Sequence, residues 1–266
     1  MRPVSDATSR AVRLALISKT GEMGYPSVLS AKGWGFYDVL FKGKEFKFQR
    51  KFGSYVMEHV LFKISFPAEF HAQTAAECAM SIFQQMKSMG KTSDDIKKIR
   101  IRTHQAAIRI IDKKGPLANP ADRDHCIQYM VAVPLIFGRL TAEDYTDAVA
   151  ADPRIDALRA KMTVKENPQF TKDYFDPDKR YIGNSVQVFF NDGSSTGKIS
   201  IDYPIGHRRR RAEGIPVLVE KFHNALAGHL SQAQAIEIAD ICRQRERMLA
   251  MPVPRFMDLF ASEPGA

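Results

Sequence analysis

Phe62-Lys63-Ile64-Ser65-Phe66-Pro67-Ala68-Glu69-Phe70-His71 marks where the chain changes character. An apolar run ends at Pro67, and a lysine, a carboxylate and an imidazole stand close together around it. Upstream the pattern is helical. Residues 8–18 (TSRAVRLALIS) put Ala11, Leu14, Ala15 and Ile17 on one face of a helix, which stops at Gly21. Gly21-Glu22-Met23-Gly24-Tyr25-Pro26-Ser27 reads as a turn. Residues 34–62 are rich in aromatics interleaved with Lys42, Lys44, Lys47, Arg50 and Lys51. This reads as core aromatics beside a solvated face rather than a stacking surface for single strands.

Downstream of Pro67 helical and strand periods alternate. Residues 69–89 repeat Ala75, Cys78, Ala79, Ile82, Phe83 and Met86 at helical spacing before Gly90. Residues 97–103 alternate Ile99 and Ile101 with Arg100 and Arg102, the mark of a half-buried strand. A turn-rich stretch from Asp112 to Asp124 leads into an apolar helix predicted over 122–137, with Pro134 set to kink or end it. Helices follow near 141–150 and 153–162, the first opened by a Thr141/Asp144 capping box. Residues 185–190 and 196–203 alternate around Asn191-Asp192-Gly193, a hairpin signal. Beyond Gly206, amphipathic helices are predicted over 216–229 and 231–249, with a short one near 254–261.

The predicted class is α+β, a partial all-helical domain interrupted by an α/β segment. The expected division is 1–61 helical, 62–210 α/β, and 211–266 helical again.

At 266 residues and 44% hydrophobic content the chain can bury a real core. No apolar run approaches the roughly 20 residues of a membrane span, and MRPVSDATSR lacks a signal's apolar stretch, so a cytoplasmic protein is expected. Cys78, Cys126 and Cys242 are odd in number and widely spaced, and read as reduced core thiols. A net charge of +9 suits either nucleic acid or small polycarboxylates, which the same field would steer. The run His207-Arg208-Arg209-Arg210-Arg211 reads as a basic turn ahead of a helix.

Three clusters could carry chemistry. The first is Lys63, Glu69 and His71. The second is Arg102-Thr103-His104 at a predicted strand end, followed by Arg109, where loops concentrate sites. The third is Asp122-Arg123-Asp124-His125 with Gln128 and Tyr129; if Asp124 caps the helix, His125 and Tyr129 stand at i and i+4 on one face. His71, His104 and His125 lie on separate elements without zinc-site spacing, so no metal is assigned. GxGxxG and Walker motifs are absent, and no nucleotide cofactor is expected.

Six motifs occur in one order: Lys19-Thr20-Gly21-Glu22-Met23-Gly24-Tyr25-Pro26-Ser27, Trp34-Gly35-Phe36-Tyr37-Asp38, Ser65-Phe66-Pro67-Ala68-Glu69-Phe70-His71, Ile110-Ile111-Asp112-Lys113-Lys114-Gly115-Pro116-Leu117, the Asn119 to Tyr129 stretch, and Tyr203-Pro204-Ile205-Gly206-His207. Together they resemble the MmgE/PrpD family, from about residue 6 to the last helix. The resemblance implies a metal-independent hydro-lyase that dehydrates the tricarboxylate 2-methylcitrate to 2-methyl-cis-aconitate in the methylcitrate cycle of propionate catabolism. It implies a helical domain interrupted by an α/β lid, an active-site cleft between them, and a homodimer without cofactor, nucleic acid or membrane. On this resemblance His71 or His104 moves the proton, Tyr129 or His125 donates to the leaving hydroxyl, and Lys63, Arg102 and Arg109 hold carboxylates.

The chain departs from the family at three points. Ile64 stands where the decarboxylase relatives have the lid-start lysine, with Lys63 one residue away. Glu69 stands where they have a histidine, with His71 nearby. Family members are nearly twice as long, and the chain resembles their second half. The expectation is an N-terminally truncated form lacking an aspartate and histidines of the site. The alternatives are a non-catalytic fragment serving as an interaction or dimerisation module, and a basic nucleic-acid-binding protein.

Overall fold

A computed structural model describes residues 2–44, 47 and 63–261. The chain is α+β and divides into two compact units, Met1–Ser54 and Tyr55–Ala266. Among the described residues no helix is long and apolar enough to cross a membrane.

The first unit carries α1 (Arg2–Lys19) and α2 (Phe36–Phe41). Gly21, at φ +95°, begins the turn after α1. Gly35 is needed for a close approach, because a Cβ there would lie 2.6 Å from the Ala31 backbone. The aromatics of residues 34–44 are not core residues as predicted. Phe36, Tyr37 and Phe41 touch one another edge to face or tilted, yet Phe36 and Phe41 stay exposed, and Trp34 is 89% exposed. Apart from Lys47, the remainder of that aromatic stretch lies outside the described residues. Val12, Leu14, Leu16 and Ile17 on α1 are also exposed.

The second unit begins with α3 (Gln73–Ser88), then β1 (Ile96–Thr103), α4 (Gln105–Ile111), α5 (Pro120–Arg123) and α6 (Ile127–Phe137). The short helices α7 (Asp147–Ala150) and α8 (Pro153–Ala160) lead to β2 (Met162–Glu166) and α9 (Pro168–Phe175). The hairpin follows as β3 (Asn184–Phe190) and β4 (Ile199–Ile201). The chain then runs through α10 (Arg211–Ala227), α11 (Gln232–Arg243), α12 (Arg245–Ala250) and α13 (Val253–Asp258).

The strand order is β2-β1-β3-β4, with β1 parallel to β2 and the other pairs antiparallel. Register puts Ile99 beside Val188 and Ile101 beside Val186. Because strand side chains alternate, these four share one face. They are fully buried with Ala75, Cys78, Ala79, Ile82 and Met86 of α3 in one cluster. The same cluster takes most of α6, which is apolar all round and buried from Ile127 to Leu135, as a central helix should be. A smaller cluster of Leu226, Ile238, Ile241 and Leu259 joins α10, α11 and the end of α13.

The structure corrects several expectations. The helix predicted over 122–137 is two helices. Arg123 is buried, donating to the Tyr145 carbonyl at 2.7 Å and pairing with Asp147, which anchors the break, and α6 starts after Cys126 in extended conformation. Pro134 does not end α6, because it lies in the last turn and its carbonyl accepts from Gly138 N–H, a residue at φ +69°. The Thr141/Asp144 capping box is present, but it opens a 3-10 turn. The 231–249 helix breaks at Gln244. Neither β2 nor α9 is foreseen in the sequence. Cys78 and Cys126 are buried, whereas Cys242 is exposed.

Candidate active site

Pro67 leads into a single 3-10 turn, Phe70–Ala72, with Glu69 as its cap. Glu69 accepts twice from His71: Oε2 from the backbone N–H at 2.8 Å and Oε1 from ring Nδ1 at 2.7 Å. Both side chains are 14% exposed. A carboxylate only accepts, so Nδ1 carries the ring proton and Nε2 offers a lone pair. That nitrogen lies 3.2 Å from the Tyr174 hydroxyl on α9, which donates to it. Burial alone would raise the Glu69 carboxyl; the hydrogen bond and charge of His71, with a contribution from His125, outweigh it and bring the pKa below the ordinary carboxylate value.

His104 sits where β1 ends and caps α4, its Nδ1 accepting from Ala107 N–H at 3.4 Å. Nε2 therefore carries the proton, and it has no partner among the described residues. The ring is fully buried and stacks on Tyr174, 4.4 Å between centroids at 10°, with the His71 ring 5.1 Å away. Burial, aided by the charge of His71 and opposed by Glu69, pushes the His104 pKa down to about 4. It is neutral near pH 7, and its place is under Tyr174. Asn184 holds the turn from the other side, donating to the His71 carbonyl at 2.8 Å and Thr74 Oγ1 at 2.7 Å.

His71 and Tyr174 open on a cavity of about 460 Å³ lined also by Phe70, Phe175, Arg180 and Ile182. Arg180 has φ +52°, unusual for a residue with a side chain. An imidazole whose Nε2 accepts from a phenol, that phenol and a guanidinium lining one cavity can bind a carboxylate and move protons.

The predicted residues are thus only partly gathered. His71 and His104 meet around Tyr174. Lys63 is exposed, its ammonium 5.2 Å from the ring of cavity-lining Phe70. His125 is exposed and bonded to Asp124, whose carbonyl accepts from Glu69 N–H at 3.3 Å. His125 and Tyr129 do not share a helix face, because His125 precedes α6. Tyr129 is buried, its hydroxyl donating to the Asp144 carbonyl at 2.6 Å, and burial raises its pKa to about 12. Arg109 is exposed on α4, and Arg102 lines a different groove.

Tyr174 and Arg180 are missed in the sequence reading. Asn167-Pro168 was the available signal, a cap followed by proline at the first helical position, and Asn167 does accept from Gln169 N–H at 3.0 Å. The basic run is largely engaged inside the unit. Arg209 donates to Tyr203 Oη and the Asp178 carbonyl, and Arg210 grips both oxygens of Glu77 at 2.7 and 2.9 Å. Among the described residues no three His, Cys, Asp or Glu side chains are grouped as a metal site requires.

The MmgE/PrpD C-terminal domain model matches residues 66–245, and the N-terminal domain model matches residues 2–49. The chain is 65% identical over 255 residues to the 2-methylcitrate dehydratase of Salmonella typhimurium, covering 96% of this chain and 53% of that protein. It is 62% identical over 255 residues to the 2-methylcitrate dehydratase of Escherichia coli K12, with the same coverage. To the mitochondrial 2-methylcitrate dehydratase of Yarrowia lipolytica it is 60% identical over 258 residues, covering 97% of this chain and 49% of that protein. The chain spans about half the length of the curated relatives it matches.

Proposed function

The chain belongs to the MmgE/PrpD family, and from that membership we propose that it takes part in dehydrating 2-methylcitrate to 2-methyl-cis-aconitate. The observation that carries the reading is the Glu69–His71–Tyr174 chain opening on a cavity that Arg180 also lines. Dehydration requires a base for a weakly acidic C–H, an acid for the departing hydroxyl and cations for the carboxylates. Arg180 supplies a bidentate fork for one carboxylate, with Lys63 beyond Phe70 as a second cation.

In the proposed mechanism, the substrate displaces the Tyr174 hydroxyl from His71 Nε2. The Nε2 lone pair takes the proton, and the C–H electron pair becomes the new C=C bond. The C–O bond breaks with its electrons, and the oxygen leaves as water carrying the Tyr174 proton. His71 then returns its proton to the tyrosinate, restoring both groups. Glu69 stabilises the imidazolium while it exists, and His104 keeps the phenol ring in place.

The same reading makes residues 62–210 the α/β lid and 1–61 with 211–266 the helical domain, in a homodimer. The test is formation of the conjugated product, followed by ultraviolet absorbance, with this chain and with His71→Asn and Tyr174→Phe variants. Loss of about 100-fold or more in kcat for each variant is expected. Rates within twofold of the unsubstituted chain overturn the assignment.

Exposed Val12, Leu14, Leu16, Ile17 and Trp34 favour a second reading, in which the chain serves as an interaction module. A chain that turns over no substrate but elutes as a stable oligomer would support it.

A further inference from the structure

Sheet alternation places Arg100 and Arg102 on the face opposite Ile99 and Ile101, away from the core. Across β3 their register partners are Gln187 and Ser185, and Ser185 in turn faces Ser200 on β4. These five residues and Lys198 line a groove of about 440 Å³. Arg100, Lys198 and Ser200 are exposed, and Arg102 is half-buried. None of the three cations makes an ion pair among the described residues: Arg100 lies 4.9 Å from the Phe189 ring, and Arg102 reaches only the Glu166 carbonyl at 3.5 Å. The groove's one carboxylate, Glu166, accepts from Thr171 at 2.7 Å. Arg123, Arg139, Arg154, Arg159 and Arg210 of the same unit, by contrast, are each paired with a carboxylate.

We propose that this open sheet face is a second anion site, separate from the His71 cavity, that takes an extended polycarboxylate. Residues two apart on a strand are about 7 Å apart, and strands two places apart are separated by about 10 Å. Arg100, Arg102 and Lys198 thus spread positive charge over a span that several carboxylates on a carbon chain can match and a single compact anion cannot. The arginine forks suit carboxylates in pairs, while Ser185, Ser200 and Gln187 supply the hydrogen bonds between them. The inference does not depend on the catalytic reading, because it concerns binding alone.

The test is calorimetric titration of the whole chain with tricarballylate, an unreactive tricarboxylate, and separately with inorganic phosphate, at low and high salt. Arg100→Gln/Arg102→Gln/Lys198→Gln is expected to weaken one tricarballylate site about tenfold or more, and Arg180→Gln to leave that site intact. Phosphate is expected to bind it more weakly than tricarballylate. Lys198→Gln alone, at an exposed position just before β4, gives the same answer if the triple variant fails to fold, with a loss of about threefold. Unchanged binding in a folded triple variant, or in Lys198→Gln when only that variant folds, overturns the site. Phosphate binding as tight as tricarballylate overturns the extended-ligand assignment. Loss of dehydration with this binding intact would strike the catalytic reading only.

Discussion

The Glu69 carboxylate holds His71 at two points, the backbone N–H and ring Nδ1, at 2.8 and 2.7 Å. With one side chain fixing both the turn and the tautomer, the lone pair of Nε2 has one direction to face.

Glu69→Gln keeps the side chain's size but removes its charge and one of the two acceptors that hold His71. The expected outcome is a kcat lowered about 10- to 100-fold with KM within twofold. A kcat within twofold of the unsubstituted chain would mean that Glu69 only shapes the turn.

His104 and His207 are both buried and held near pKa 4, His104 by burial and the His71 charge, His207 by burial and Arg208, Arg209 and Arg211. Their ordinary value is 6.5, so the unfolded chain binds more protons than the folded one between the two values. Stability is therefore greatest above about pH 6.5 and falls as pH drops toward 4, by on the order of 2 kcal/mol per histidine. Denaturant melts across that window check the slope. In His104→Asn, which keeps a capping oxygen, the slope should be shallower.

Tyr129→Phe removes the hydroxyl that donates to the Asp144 carbonyl at 2.6 Å. The expected loss is about 1 kcal/mol of stability, with KM and kcat within twofold. A loss of kcat at unchanged stability would return Tyr129 to the catalytic machinery.

Arg210 ties the start of α10 to Glu77 of α3 and also pairs with Glu213 at 2.8 Å. Arg210→Met leaves a partly buried carboxylate without its partner, and denaturant melts should show a loss of about 1–3 kcal/mol. Glu77→Gln in the same background should recover part of that loss, since it removes the stranded charge.

The alternation of Ile99 and Ile101 with Arg100 and Arg102, and the Asn191-Asp192-Gly193 turn, make β1 and the hairpin legible in the sequence. Their hydrophobic period is local, and a local period is what a half-buried strand requires. The β2 strand was not legible, because Met162–Glu166 is a short edge element whose partner, β1, lies far away in sequence. The break between α5 and α6 was hidden for a similar reason: Arg123 turns inward to groups on Tyr145 and Asp147, and no neighbouring residue announces it. Exposed Trp34 shows the converse, since an aromatic signals burial only when something lies over it.

The order of helix, α/β and helix, the apolar α6 and the placing of a carboxylate and an imidazole just after Pro67 are properties of the sequence, because each depends on residues within a few turns of one another. The site itself is a property of the tertiary structure. Tyr174 meets His71 across 103 positions of chain, His104 becomes a buried neutral support because β1 delivers it beneath that ring, and Arg180 joins the cavity only when the chain turns after α9. Proton transfer depends on distances of a few ångströms, and only packing sets those distances between residues so far apart in the chain.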